Sequence, residues 1–260
     1  MSVADALFSQ AGPVAFLTFN RPETGNALTW SMYDALTDAC ERVDADRDVR
    51  VFVIRGSGGV FSTGTDIRQF TEFRSGADGV AYERRLEACL SRLEAVAVPT
   101  IAQVEGPAVG AGCAIALACD LRVCTSTARF GVPIARTLGN VLSIENCARL
   151  VEHVGMARTK DLLITGRLLD AAEASAAGLV TRMAEANDIG RVVDDLAGAT
   201  ARNAPLTIQA MKEALRRISI RRYLEVDGFE RLSAACYDSA DFREGVAAFL
   251  EKRPPRFKGL

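Results

Sequence analysis

A chain of 260 residues that is 49% hydrophobic and 25% charged has the composition of an ordinary globular protein with room for a sizeable core. Its 31 Lys and Arg nearly balance 33 Asp and Glu, which excludes charge-driven disorder and gives no overall footprint for nucleic acid. One histidine and seven cysteines, with no C-x-x-C spacing, exclude a conventional zinc centre; no metal is expected, and the scattered thiols fit a reducing cytoplasm. Met1 to Gln10 lacks a basic region and a long apolar run, and no stretch reaches about 18 uninterrupted apolar residues, so neither a signal peptide nor a membrane span is expected.

Val14 to Phe19 reads as a strand ending at Asn20-Arg21-Pro22, because proline cannot donate to a ladder. Glu23-Thr24-Gly25-Asn26 is a turn cluster, and the spacing of Ala35, Ala39 and Val43 predicts a helix from about Thr29 to Asp46. Val49 to Arg55 is a second strand, closed by Gly56-Ser57-Gly58-Gly59. A tight loop, Phe61 to Ile67, leads to a polar helical region from about Arg68 to Ala97. Thr100 to Val104 is a strand, the glycine-rich turn Gly106 to Gly112 opens a small-residue helix over Ala111 to Ala118, and strands follow at Leu121 to Cys124 and about Ala128 to Gly131. This alternation predicts an α/β fold whose strands are buried on both faces.

Further on, Ser143 to Val154 and Arg158 to Thr165 read as helical. Asp170 and Glu173 have the spacing of a capping box, Gly178 fits the end of that helix, and Leu179 to Arg182 is a short strand. From about Asp188 to Leu250 the chain reads as helix with a break at Asn203-Ala204-Pro205. The pairs Arg216-Arg217 and Arg221-Arg222 fall there, as a solvated face or a local anion contact. The turn to all-helix near residue 195 suggests a core over 1–195 and a helical region over 196–260.

Two loops combine glycine with a following helix, Phe61 to Ile67 and Val104 to Ala114. Backbone N–H groups at such turns are unpaired and carry the partial positive charge of a helix start, so two that converge can hold an oxyanion. The run FSTGTDI resembles the F-x-x-G-x-D-[IL] loop of the crotonase (enoyl-CoA hydratase/isomerase) superfamily, and VEGPAVGAGCAIALACDLRV resembles its second glycine-rich segment. NRPETGNAL, LITGRLLDAAEASAAGLV and EKRPPRFKG are similar to further family segments, in the family's order along nearly the whole chain. The resemblance implies a crotonase-like spiral of ββα units with a helical C-terminal trimerisation region, assembled as a homotrimer or a dimer of trimers. It implies a ligand that is a coenzyme A thioester, with no tightly bound cofactor, in a chain whose thiols already suggest a cytoplasmic protein. The amides of Thr65 and Ala111 would form the oxyanion hole, with Gly110 beside the second. Glu23, Thr24, Ala27, Thr63, Asp66, Ile67 and Arg68 would line the CoA arm.

The sequence departs from the family's hydratases at the two glutamates that activate and deliver water. Those positions are Ala114 and Ile134, neither of which can exchange a proton, so isomerase-type or other acyl-CoA chemistry is preferred to hydration. An isomerase needs one base. Glu145 is the leading candidate, although the usual isomerase acid aligns nearer Ser143 and a two-residue offset turns a helical side chain by about 200°. The plainer reading of Glu145 is a first-turn carboxylate supporting the helix dipole. Asp66 suits loop structure or binding, Glu105 a turn, and Arg136 an intraloop bond or a pairing with Glu145 or a substrate carboxylate. His153 and Cys113 read as structural residues, and no G-x-S-x-G elbow is present. The alternative to an enzyme is a non-catalytic acyl-CoA-binding protein.

Overall fold

The computed structural model describes residues 4–220 and 229–258. The chain begins with β1 (Ala6–Ala11), β2 (Val14–Phe19), α1 (Trp30–Ala45), β3 (Val51–Gly56), α2 (Gly76–Glu94), β4 (Thr100–Val104) and β5 (Pro107–Val109). It continues through α3 (Ala111–Ala118), β6 (Leu121–Thr125), β7 (Arg129–Gly131), α4 (Ile134–Thr137), α5 (Ile144–Thr165), β8 (Leu169–Asp170), α6 (Ala171–Ala176) and β9 (Arg182–Ala184). The helices α7 (Ile189–Ala201), α8 (Pro205–Ile220), α9 (Phe229–Asp238) and α10 (Ala240–Leu250) follow.

Six strands form one sheet in the order β1-β2-β3-β4-β6-β9, parallel except for the β1–β2 hairpin. A smaller sheet, β5-β7-β8, stands apart from it. Both faces of the large sheet are covered, which is why its central strands are nearly continuous apolar runs. Leu17, Phe52, Ile54, Ala102 and Cys124 pack with α1, α2 and α3, whereas Phe16, Val51, Val53, Ile101 and Val123 pack with Ile189, Val193, Leu196 and Ala197 of α7. Residue 195 therefore lies inside a helix that covers the sheet, and the packing of the core runs past it.

Three local differences from the expected elements have identifiable causes. β1 was not expected, since most of its side chains are exposed or half-buried and leave no apolar alternation. The polar region after Arg68 is two elements, a 3-10 helix over Ile67–Glu72 and then α2; the break is fixed by Asp78, whose carboxylate accepts from the backbone of Arg74 at 2.7 Å and Ser75 at 2.9 Å. The strand expected at Leu179 to Arg182 lies at Arg182–Ala184 instead. Leu179 is drawn to the buried Arg122, whose guanidinium donates to its carbonyl at 2.6 Å and also to the carbonyls of Ala116 and Cys119 at the end of α3. The two helical stretches expected at Ser143 to Val154 and Arg158 to Thr165 are present as the two halves of α5, divided by a kink at Gly155 with φ of +77°. The capping box at Asp170 and Glu173 forms as expected. Arg221-Arg222 lie outside the described residues.

Candidate active site

The two glycine-rich loops run side by side. Ser62 and Ala108 form a parallel bridge, with Ser62 N–H donating to Pro107 O and Val109 N–H to Ser62 O, both at 2.9 Å. Leu28 holds the first loop from its other side, donating to Gly64 O at 2.8 Å and accepting from Asp66 N–H at 2.9 Å. This pairing skips Thr65, whose N–H is left over. In the second loop Gly110 N–H donates to Gly131 O at 2.9 Å, and α3 starts at Ala111, whose N–H has no carbonyl a turn earlier to reach. Neither amide donates to another group among the described residues. Gly64, at φ +99°, permits the close approach: a Cβ there would lie 2.9 Å from Val109 O and 3.5 Å from Ala111 N.

Both loops border one cavity of about 590 Å³. Of the residues expected at the site, Thr24, Ala27, Thr63, Thr65, Asp66, Ile67, Arg68, Gly110, Ala111, Ala114 and Ile134 line it. Glu23 and Glu145 do not. Glu145 lies in the first turn of α5 and borders a separate cavity with Arg149, Glu152 and His153. Ala114 is buried and Ile134 partly so.

Asp66 is fully engaged. It accepts from Arg68 Nε at 2.9 Å and from Arg21 Nη1 at 3.2 Å, and the Arg68 guanidinium first, with Arg21 in support, holds its carboxyl below the usual range. The Thr65 hydroxyl sits between the Tyr33 and Tyr82 hydroxyls at 2.7 and 2.8 Å. His153 Nε2 is 3.2 Å from Leu117 O, and burial pushes its pKa down to about 4. Burial pushes the Cys113 thiol up to about 12. Glu105 accepts from Gln103, and Arg136 is exposed on α4. Among the described residues no group of His, Cys, Asp and Glu is placed to hold a metal ion, and no helix is long and apolar enough to cross a membrane.

A carboxylate that the sequence reading passed over also lines this cavity. Glu83, on α2, is 8% exposed. Tyr237 of α9 donates its hydroxyl to Glu83 Oε1 at 2.7 Å, and Asn140 Nδ2 donates to the Tyr237 oxygen at 3.1 Å. Glu83 Oε2 and Asn140 Oδ1 are buried with no partner among the described residues. Burial raises the Glu83 pKa to about 7; the Tyr237 hydroxyl and the nearby Ser143 backbone oppose the rise, and the charges of Glu145 and Glu87 add to it. A signal was present in the spacing: Gly79, Glu83, Leu86, Leu90 and Leu93 form the buried stripe of α2, with one acid where the period asks for an apolar residue.

A family model described as Enoyl-CoA hydratase/isomerase matches residues 9–260. The chain belongs to the enoyl-CoA hydratase/isomerase family. It is 36% identical over 245 residues to a probable enoyl-CoA hydratase, echA8, of Mycobacterium tuberculosis, covering 94% of each chain. It is 37% identical over 255 residues to a putative enoyl-CoA hydratase of Thermus thermophilus, covering 95% of this chain and 98% of that one. Among solved structures, methylmalonyl-CoA decarboxylase in complex with 2-nitronate-propionyl-CoA superposes with a TM-score of 0.91 at 29% identity, covering both chains completely. An enoyl-CoA hydratase/carnithine racemase from Magnetospirillum magneticum gives 0.80 at 33% identity over 100% of this chain and 97% of that one. The α/β architecture is therefore the crotonase fold expected of the family.

Proposed function

We propose that this family member binds an acyl-CoA thioester and moves a proton along its acyl chain through an enolate, in the manner of an enoyl-CoA isomerase. The observation that carries the reading is the pair of unclaimed amides, Thr65 and Ala111, on adjoining loops of one cavity. A thioester oxygen that accepts from both is stabilised as negative charge develops on it, which lowers the cost of removing an α proton. Preformed donors of this kind need no reorganisation during the reaction, and they are backbone groups, so the side chains at 65 and 111 are free to differ among relatives.

Hydration is the less favoured chemistry. It needs a group to activate water and another to deliver a proton, and Ala114 and Ile134 are apolar at the positions where the family's hydratases carry glutamates. An allylic proton shift needs only one acid–base group. The CoA arm is assigned to Thr24, Ala27, Thr63 and Arg68, which border the cavity beside the first loop. The competing reading, a non-catalytic acyl-CoA binder, draws on the same two replacements.

The test offers purified protein a 3-enoyl-CoA and the matching 2-enoyl-CoA. The expected result is conversion of the first to the second with no 3-hydroxyacyl-CoA formed. Hydration at an ordinary enzymatic rate overturns the isomerase reading. Tight binding without turnover across acyl lengths favours the binder.

A further inference from the structure

We infer that Glu83 is the acid–base residue of this site, held in position by Tyr237 and Asn140, an assignment that rests on the enolate reading above. Glu83 shares the cavity with both amide-bearing loops, and the two are mechanically linked. Its chain neighbour Tyr82 bonds the Thr65 hydroxyl at 2.8 Å, so the helix that carries the carboxylate also braces the oxyanion loop.

The carboxylate is built to act on something absent from the protein itself. A buried polar atom without a partner costs free energy, and native structures keep few of them. Here two, Glu83 Oε2 and Asn140 Oδ1, belong to residues that line the same cavity. Tyr237 occupies only Oε1, which fixes the carboxylate plane and leaves the other oxygen free. The chain Asn140 to Tyr237 to Glu83 joins the segment before α5, helix α9 and helix α2. Phe73, Tyr82 and Phe242 surround the Tyr237 ring, with centroids 4.9 to 6.4 Å away, and keep water from its side of the carboxylate. A Cβ on Gly79, one turn before Glu83, would overlap that ring, so glycine there lets Tyr237 lie on α2.

The step balances without a co-reactant. Glu83 Oε2 takes a proton from the thioester α carbon. The C–H electron pair forms the enolate double bond while the carbonyl pair moves to the oxygen held by Thr65 and Ala111. The protonated Glu83 then returns the proton to the α carbon or, in a 3-enoyl substrate taken at that position, to the γ carbon. The groups that bear on its titration are Tyr82 and Glu87 on α2, Glu145 and Cys147 on α5, and Tyr237 on α9. Glu87 is itself paired with Arg149, at 2.6 Å. With burial dominant, the carboxylate forms near neutrality, where an acid–base group transfers protons in both directions most effectively.

The experiment measures deuterium incorporation at the α carbon of a saturated acyl-CoA in heavy water, with acyl-CoA affinity measured in parallel. The wild type is expected to exchange at a rate that rises with pH through about 7, the value to which burial raises Glu83. Glu83→Gln should lower exchange by about 10²- to 10⁴-fold, with affinity changed little. Tyr237→Phe removes a bond that favours the carboxylate, so it should move the rise to higher pH, which loss of packing alone does not do. Exchange by Glu83→Gln at the wild-type rate overturns the assignment. If that variant fails to fold, a wild-type profile flat between pH 6 and 8, or unmoved by Tyr237→Phe, overturns it instead. A wild type that binds acyl-CoA and exchanges nothing overturns the enolate reading itself.

Discussion

Burying Glu83 has a stability consequence whose sign is fixed. The folded pKa of about 7 lies above the ordinary value of 4.5. Between these values the folded protein binds more protons than the unfolded chain, so stability falls as pH rises through that window and the full penalty is present above it. Glu83→Gln keeps an acceptor for Tyr237 and removes the charge. Its melting temperature should exceed that of the parent at pH 8, reflecting about 3 kcal/mol, and the advantage should vanish near pH 4.5. An equal difference at both pH values would contradict a buried, titrating carboxylate. The same residue marks the limit of the sequence reading. The two unclaimed amides could be pointed to from the chain because the glycine-rich loops resemble family segments, which single out Thr65 and Ala111. Glu83 was one of 33 acids until α9 placed Tyr237 against it, a contact 154 positions apart in the chain.

At the scale of elements, the strand–helix alternation was readable because β2, β3, β4 and β6 are buried and apolar. β1, β8 and β9 were missed or shifted because they are short or exposed and owe their pairing to neighbours. The close contact of the two loops could be suspected from Gly64 and Gly110 but not placed. It makes a sharp prediction. In Gly64→Ala the added methyl meets Val109 O while the backbone keeps a φ that disfavours L side chains. The loop must shift, and the loss of one aligned donor should lower the proposed isomerase turnover by about 10²-fold or more. Far-UV circular dichroism should stay that of the parent, because the core strands do not depend on this turn. Unchanged turnover would remove the loop contact from the mechanism.

The whole molecule brings together what the chain keeps apart. The cavity takes Thr65 from after β3, Glu83 from α2, Ala111 from α3, Asn140 from before α5, and Phe249 and Leu250 from α10. The helical end of the chain is therefore part of the site as well as a candidate for subunit packing. The trimer or dimer of trimers that the family resemblance implies would find an apolar face on α8, where Met211, Leu215 and Ile218 recur at helical spacing and are more than half exposed. A structure of the protein with a saturated acyl-CoA would show whether the two amides and Glu83 meet one thioester. The thioester oxygen should lie within about 3 Å of both the Thr65 and Ala111 nitrogens, with the α carbon facing Glu83 Oε2. A thioester bound elsewhere, or one whose oxygen meets neither amide, would contradict that arrangement.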